Sequence, residues 1–172
     1  IGPLGTWFEW QPGAENALLI GGGIGLAPLL VLADTAGDNG VNAQVLCGAR
    51  DAQGLTPPLW IADTVTYVVA TDDGSRGYSG HVTDLVADRW AWADQVFACG
   101  PTAMLATMSH VISTLSTQIG RRPSFASLEA RMGCAMGVCY SCVVRTSCGV
   151  KRVCKEGPVL PHDIISWDWT HD

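Results

Sequence analysis

Basic residues are scarce in this 172-residue chain: 10 Lys and Arg stand against 16 Asp and Glu, giving a formal net charge of −6, and nowhere do they form a run. That balance argues against a nucleic-acid partner, which needs a basic face to meet phosphates. Uninterrupted apolar sequence is also missing. The most lipid-like stretch, residues 17–33, is broken by Gly21, Gly22, Gly23, Gly25 and Pro28 and is short for a membrane span. There is no Gly-Lys-Ser/Thr step of a Walker loop, and the opening Ile1-Gly2-Pro3-Leu4 has no secretory-signal character. The 7 cysteines are too few and too unevenly placed for a disulfide scaffold. Their odd number points to reduced thiols, metal ligation and a cytoplasmic setting. The 4 histidines are scattered and none is assigned to catalysis.

What is present suffices for one ordinary domain and a small second one, with 48% apolar residues available for a core. Short apolar runs at 17–20, 43–47, 64–70 and 94–99 read as strands. Helices are expected over 27–36, 81–88 and 101–119. In the last of these Met104, Leu105, Met108, Val111, Ile112 and Leu115 recur at three- and four-residue steps, as on a core-facing stripe. Strands alternating with helices predict an α/β fold with a Rossmann-like parallel sheet covered on both faces. After Gly120-Arg121-Arg122-Pro123, one last strand over 124–128 is expected, then a cysteine-rich lobe. The divisions read as 1–13, linker; 14–122, dinucleotide-binding domain; 123–165, cluster domain; and 166–172, tail. The tail's tryptophans are expected to pack at the lobe interface.

Three loops fall at the C-terminal ends of predicted strands, the edge where α/β sheets bind ligands. The first is Gly21-Gly22-Gly23-Ile24-Gly25-Leu26-Ala27-Pro28. Its glycines let backbone amides approach a pyrophosphate, and the following helix adds favourable partial charge. It departs from G-x-G-x-x-G at the last position, where Pro28 stands, and a tight turn without a ligand is the alternative. The others are Asp72-Asp73-Gly74-Ser75 and Cys99-Gly100-Pro101. Cys99 reads equally well as a buried structural thiol. Arg50 and Asp51 both follow the second strand, so NADH and NADPH are left undistinguished.

Cys134, Cys139, Cys142 and Cys154 follow the spacing C-x4-C-x2-C-x11-C. The x4–x2 triplet with a distant fourth thiolate is the ligand spacing of a [2Fe–2S] cluster. Zinc sites more often come as two separated pairs, although Cys139 and Cys142 alone could form half of one. Gly133 and Gly137 flank Cys134 and let the loop curl so that amides reach the sulfurs. Cys148 competes with Cys154 for the fourth position. Ser147-Cys148-Gly149 reads as the turn of a hairpin through Val143–Val153, which returns the chain to the cluster at Cys154.

The segments Leu128–Cys134, Cys142-Val143-Val144 and Arg152–Leu160 resemble the electron-transfer (iron–sulfur) subunit of bacterial two-subunit dihydroorotate dehydrogenase, of the ferredoxin–NAD(P) reductase superfamily. Gly2-Pro3-Leu4-Gly5, the glycine loop, Asp72-Asp73-Gly74-Ser75 and Cys99–Leu105 fit the same resemblance. It implies a ferredoxin-reductase-type domain that takes electrons from NADH through FAD to a [2Fe–2S] cluster on Cys134, Cys139, Cys142 and Cys154. The acceptor would be FMN in a catalytic dihydroorotate dehydrogenase subunit, and the nicotinamide dinucleotide would lie on residues 21–28, 72–73 and 99–101. The family's N-terminal FAD-binding barrel has no counterpart in the sequence, so FAD is expected to bind weakly or not at all. Related subunits of ferredoxin–NADP reductase-like, sulfide dehydrogenase, hydrogenase or sulfite reductase complexes share the glycine and Cys-Gly-Pro motifs. A zinc-stabilised nucleotide-binding module is the reading of another class.

Overall fold

The computed structural model describes residues 2–168. Trp169, part of the expected tail, lies outside them. Seven strands form one sheet in the order β4-β3-β2-β1-β5-β6-β9. They are β1 (Asn16–Gly22), β2 (Asn42–Ala49), β3 (Thr66–Thr71), β4 (Tyr78–Ser79), β5 (Gln95–Cys99), β6 (Ser124–Ser127) and β9 (Val159–Pro161). All pairings are parallel except β6 with β9. The remaining strands, β7 (Val143–Thr146) and β8 (Gly149–Arg152), form a separate antiparallel hairpin.

β1 is central, and a strand covered on both faces must be apolar on both. Leu18 and Ile20 join one core with Trp90, Leu105 and Met108; Ala17 and Leu19 join the other with Leu26, Leu29 and Leu32. Helix α1 (Ala27–Asp34) covers the second face, while α2 (Ala87–Trp90) and α3 (Thr102–Gln118) cover the first. The expected stripe on α3 is the packed one: Leu105, Met108, Ile112 and Leu115 are buried. Trp90 is fully buried, and its indole N–H donates to the Gly120 carbonyl at 2.9 Å.

Several local expectations shift. The helix expected over 81–88 is a 3-10 turn, Val82–Leu85, followed by the single turn α2. Its amides bond three residues back, Asp84 to His81 at 3.0 Å and Val86 to Thr83 at 3.3 Å. β4 and β9 went unforeseen, because two or three residues carry no readable periodicity. Residues 6–11 are held against the sheet. Phe8 and Trp10 stack edge-on to Phe97, with ring centroids 5.3 and 5.7 Å away, and the Gln11 amide donates to Gln95 Oε1 at 2.8 Å.

The cysteine-rich segment is rooted in the main domain. β6 pairs with β5 directly after residue 123, β9 closes the sheet beyond β6, and Cys142, Val144, Val153 and Cys154 share the core of α3. The boundary expected at 122–123 is therefore not a break in hydrogen bonding. Residues 128–158 leave the sheet after β6 and return to it at β9.

His162 follows β9 and is 1% exposed, with both ring nitrogens buried and unpartnered, 4.7 Å centroid to centroid from Trp167. Burial pushes its imidazole down to about 4, against smaller opposing effects of its own backbone and Asp163. The unfolded chain takes up a proton near pH 6.5 that the native state refuses until about pH 4. Stability should therefore fall through that window as pH drops, by roughly 3 kcal/mol in total. Urea midpoints at pH 7.5 and 5 should diverge less for His162→Phe than for the wild type. Equal slopes would remove His162 as the cause.

Candidate functional site

The C-terminal ends of the parallel strands carry the three predicted loops, together with the cysteine loop that leaves β6. After β1 the chain turns through a 3-10 segment, Gly23–Leu26, into α1, with Pro28 in its first turn. Two of these glycines are set by close approach. A Cβ on Gly25 would stand 2.6 Å from the Cys99 carbonyl oxygen and from Gly100 Cα, and one on Gly22 would stand 2.6 Å from Met104 Sδ. The glycine loop and the Cys99-Gly100-Pro101 loop thus touch backbone to backbone.

A cleft of about 610 Å³ opens there, lined among others by Gly22, Gly23, Arg50, Asp72, His81 and Pro101. Gly21 and Cys99 are buried and do not line it, Cys99 packing in the core beside Leu26, while Pro28 is exposed on α1. Burial raises the Cys99 thiol pKa, Glu129 raises it further, and only a Ser127 hydrogen bond opposes them. Cys99 is therefore a buried, protonated thiol. Asp72 and Asp73 divide their tasks. Asp72 lines the cleft and meets His81 Nδ1 at 3.0 Å, whereas Asp73 accepts the Ser75 amide at 2.9 Å and shapes the turn. The Ser75 hydroxyl and amide hold the Asp73 carboxyl below its usual range. Asp51 Oδ1 accepts the amides of Gln53 and Gly54, which leaves Arg50 as the cation beside it. His81 was missed by sequence reasoning, since no spacing rule connects it with Asp72.

The cysteine loop has the features a thiolate cluster needs. The Met136 amide donates to Cys134 Sγ at 3.4 Å. Together with the Cys139 amide and thiol and the Val138 amide, it pulls the Cys134 thiol down to about 6. Burial raises the Cys154 thiol, and so does its neighbour Cys142, while the Gly137 amide opposes them. Cys139 thus acts on Cys134 and Cys142 on Cys154, and a smaller effect of Cys134 on Cys154 links the two. Among the described residues, no three His, Cys, Asp or Glu side chains gather as for a single metal ion. Thiols under loop amides are the soft donor set that a thiolate-held iron–sulfur cluster uses.

The backbone supports the same arrangement. Ala135 and Tyr140 adopt left-handed φ of 56° and 58°, unusual for side-chain-bearing residues, and Gly137 stands at 77°. A Cβ on Gly133 would stand 3.3 Å from Cys139 Sγ and 3.0 Å from Ser141 Oγ, so a side chain there would intrude on the cradle. Cys148 sits at the hairpin turn. The register Val143↔Arg152 through Thr146↔Gly149 sets it at the far end, roughly 13 Å along the strands from Cys142. Cys154 is returned beside Cys142, since the Val153 amide donates to the Cys142 carbonyl at 2.9 Å.

A second cavity of about 550 Å³ lies between the two candidate sites, with Gly100 and Thr102 on one side and Glu129, Arg131 and Ser141 on the other. The glycine-loop cleft and the cysteine loop are therefore neighbours across it.

A reductase-type α/β domain carrying an iron–sulfur-type cysteine loop on its ligand edge is the class that fold and site define. Residues 129–166 match the family model for the iron–sulfur cluster binding domain of dihydroorotate dehydrogenase B. The chain is related to the electron transfer subunits of dihydroorotate dehydrogenase B (NAD(+)). It is 39% identical over 166 residues to that of Geobacillus thermodenitrificans, covering 93% of this chain and 62% of the relative. With the Listeria innocua subunit the identity is 34% over 171 residues, covering 96% and 65%. The chain thus spans under two thirds of these relatives. Among solved structures, an NADH-dependent reduced ferredoxin–NADP oxidoreductase superposes with a TM-score of 0.83 at 30% identity, covering 98% of this chain and 59% of the other. A ferredoxin reductase of carbazole 1,9a-dioxygenase shares the fold at a TM-score of 0.52 and 19% identity, covering 65% and 36%.

Proposed function

We propose that this chain is the NADH-side and cluster-bearing part of a dihydroorotate dehydrogenase B electron-transfer subunit, serving pyrimidine biosynthesis in the cytoplasm. In this reading residues 14–122 bind the dinucleotide and residues 123–165 carry a [2Fe–2S] cluster on Cys134, Cys139, Cys142 and Cys154. Electrons pass from NADH by way of FAD to the cluster and on to an FMN-containing catalytic subunit. The observation that carries this reading is the cysteine loop, with the Met136 amide on Cys134 Sγ and Cys154 returned beside Cys142, at the same sheet edge as the glycine cleft.

When bound, such a cluster accepts and releases single electrons, and a flavin converts the two-electron hydride into single steps. The chain's own residues bind and orient. Gly22 and Gly23 open the cleft to the dinucleotide phosphates, the buried Cys99 thiol stays protonated, and the Met136, Val138 and Cys139 amides neutralise thiolate charge. Met132, Met136, Val138 and Tyr140 are large apolar side chains exposed around the cysteines, in keeping with a protein partner over that face. No helix among the described residues is long and apolar enough to cross a membrane.

Anaerobically prepared protein should contain about two irons and two acid-labile sulfides per chain and should be coloured. A colourless protein containing zinc would end the electron-transfer reading and leave a nucleotide-binding fold. Mixing the reduced protein with a dihydroorotate dehydrogenase catalytic subunit should reduce its FMN. Transfer to ferredoxin alone would favour a role like that of the oxidoreductase with the 0.83 TM-score.

A further inference from the structure

Arg152, the last residue of β8, ties the cysteine loop to the hairpin exit through its backbone and its guanidinium together. Its backbone amide and Nε both donate to Glu156 Oε2, at 2.8 and 3.0 Å, and its second terminal nitrogen pairs with Glu156 Oε1. The remaining terminal nitrogen donates to the Gly137 carbonyl at 2.6 Å, and the guanidinium lies 5.0 Å from the centre of the Tyr140 ring. Gly137 and Tyr140 are two of the left-handed residues that give the loop its curl. A planar fork can serve a carboxylate, a carbonyl and a ring face together; an ammonium cannot.

We propose that Arg152 is a positioning residue that sets the electron affinity of the cluster site, acting through the Gly137–Val138 peptide and opposed in sign by Glu156. The proposal rests on the cluster reading given above. The carbonyl of that peptide accepts from Arg152 at 2.6 Å, and its N–H, on Val138, belongs to the amides that lower the Cys134 thiol, behind that of Met136, which reaches the sulfur at 3.4 Å. A hydrogen bond at one end of a peptide polarises the bond at the other, so the arginine strengthens the Val138 donor. The side chain is 19% exposed, so water screens its charge only in part. A cluster held by four thiolates is already anionic, and uptake of one electron adds a negative charge. A nearby cation and a stronger N–H donor stabilise that reduced form more than the oxidised one. The Glu156 carboxylate has the opposite effect on the electron, while holding the guanidinium in place.

Redox titration of the reconstituted protein, followed by visible absorption and electron paramagnetic resonance, tests this. Arg152→Gln should move the midpoint potential negative and Glu156→Gln should move it positive, with Arg152→Lys between Arg152→Gln and the wild type. A purely structural brace predicts something else: both Gln variants lose cluster together and shift in the same direction, which would overturn the proposal. So would a wild-type potential in Arg152→Gln at full iron content. Should Arg152→Gln hold no iron, Glu156→Gln decides, a positive shift supporting the proposal and a negative or absent shift overturning it. A wild type without iron would instead remove the cluster reading itself, so the two failures are distinguishable.

Discussion

Cys154→Ser should lose most of the protein's iron and its visible colour, while Cys148→Ser should keep both. The two cysteines are six residues apart and chemically alike, so the contrast isolates position. Cys154 is 3% exposed beside Cys142 and packed in the main core; Cys148 is exposed at a hairpin turn, where its Sγ lies 3.8 Å from Ser147 Oγ. Serine offers a hard, far less acidic oxygen in place of a soft thiolate, which iron–sulfur chemistry disfavours. Because Cys154 is buried, the substitution could also act through packing. The far-ultraviolet circular dichroism of Cys154→Ser should therefore match the wild type while the iron assay does not. Iron retained in Cys154→Ser and lost in Cys148→Ser would reverse the assignment and require a rearranged hairpin.

Gly25→Ala should weaken NADH binding by at least about tenfold and cost roughly 1–3 kcal/mol of stability. The new Cβ would stand 2.6 Å from three backbone atoms, Cys99 O, Gly100 Cα and Gly100 N, which cannot swing away as a side-chain tip can. The glycine and Cys-Gly-Pro loops would be forced apart, and with them two walls of the cleft. Gly23→Ala provides the contrast. That residue has φ of 55° and nothing within 4 Å of an added Cβ, so the cost there is backbone strain of about 1 kcal/mol. Fluorescence titration with NADH and urea unfolding should rank the variants wild type, Gly23→Ala, Gly25→Ala. Unchanged NADH binding in Gly25→Ala would mean that the loop is a packing turn and that the dinucleotide binds elsewhere.

Much of this was legible in the sequence because it is local. The hairpin over 143–153 with Cys148 at its turn, the buried stripe on α3 and the strand–glycine–helix unit at 16–34 all follow from periodicity, turn residues and spacing within a few residues. The expected helix over 81–88 failed for the complementary reason. Short polar–apolar segments suit a 3-10 turn and an α-helix alike, and packing against β1 and β2 selected between them.

By itself, then, the sequence determined the longer strands and helices, the loops at the ligand edge and the set of thiols available for a cluster. These depend on backbone preference and on ligand chemistry, which each residue carries with it. Only the tertiary structure decided which thiols act on one another, that Asp72 faces the cleft while Asp73 shapes a turn, that residues 124–127 and 159–161 bind the cysteine lobe into the main sheet, and that Arg152 reaches Gly137 fifteen positions away. Those are relations across space between side chains distant in the chain. The cores on the two faces of β1 settle them by bringing Cys142, Cys154 and the sheet edge together.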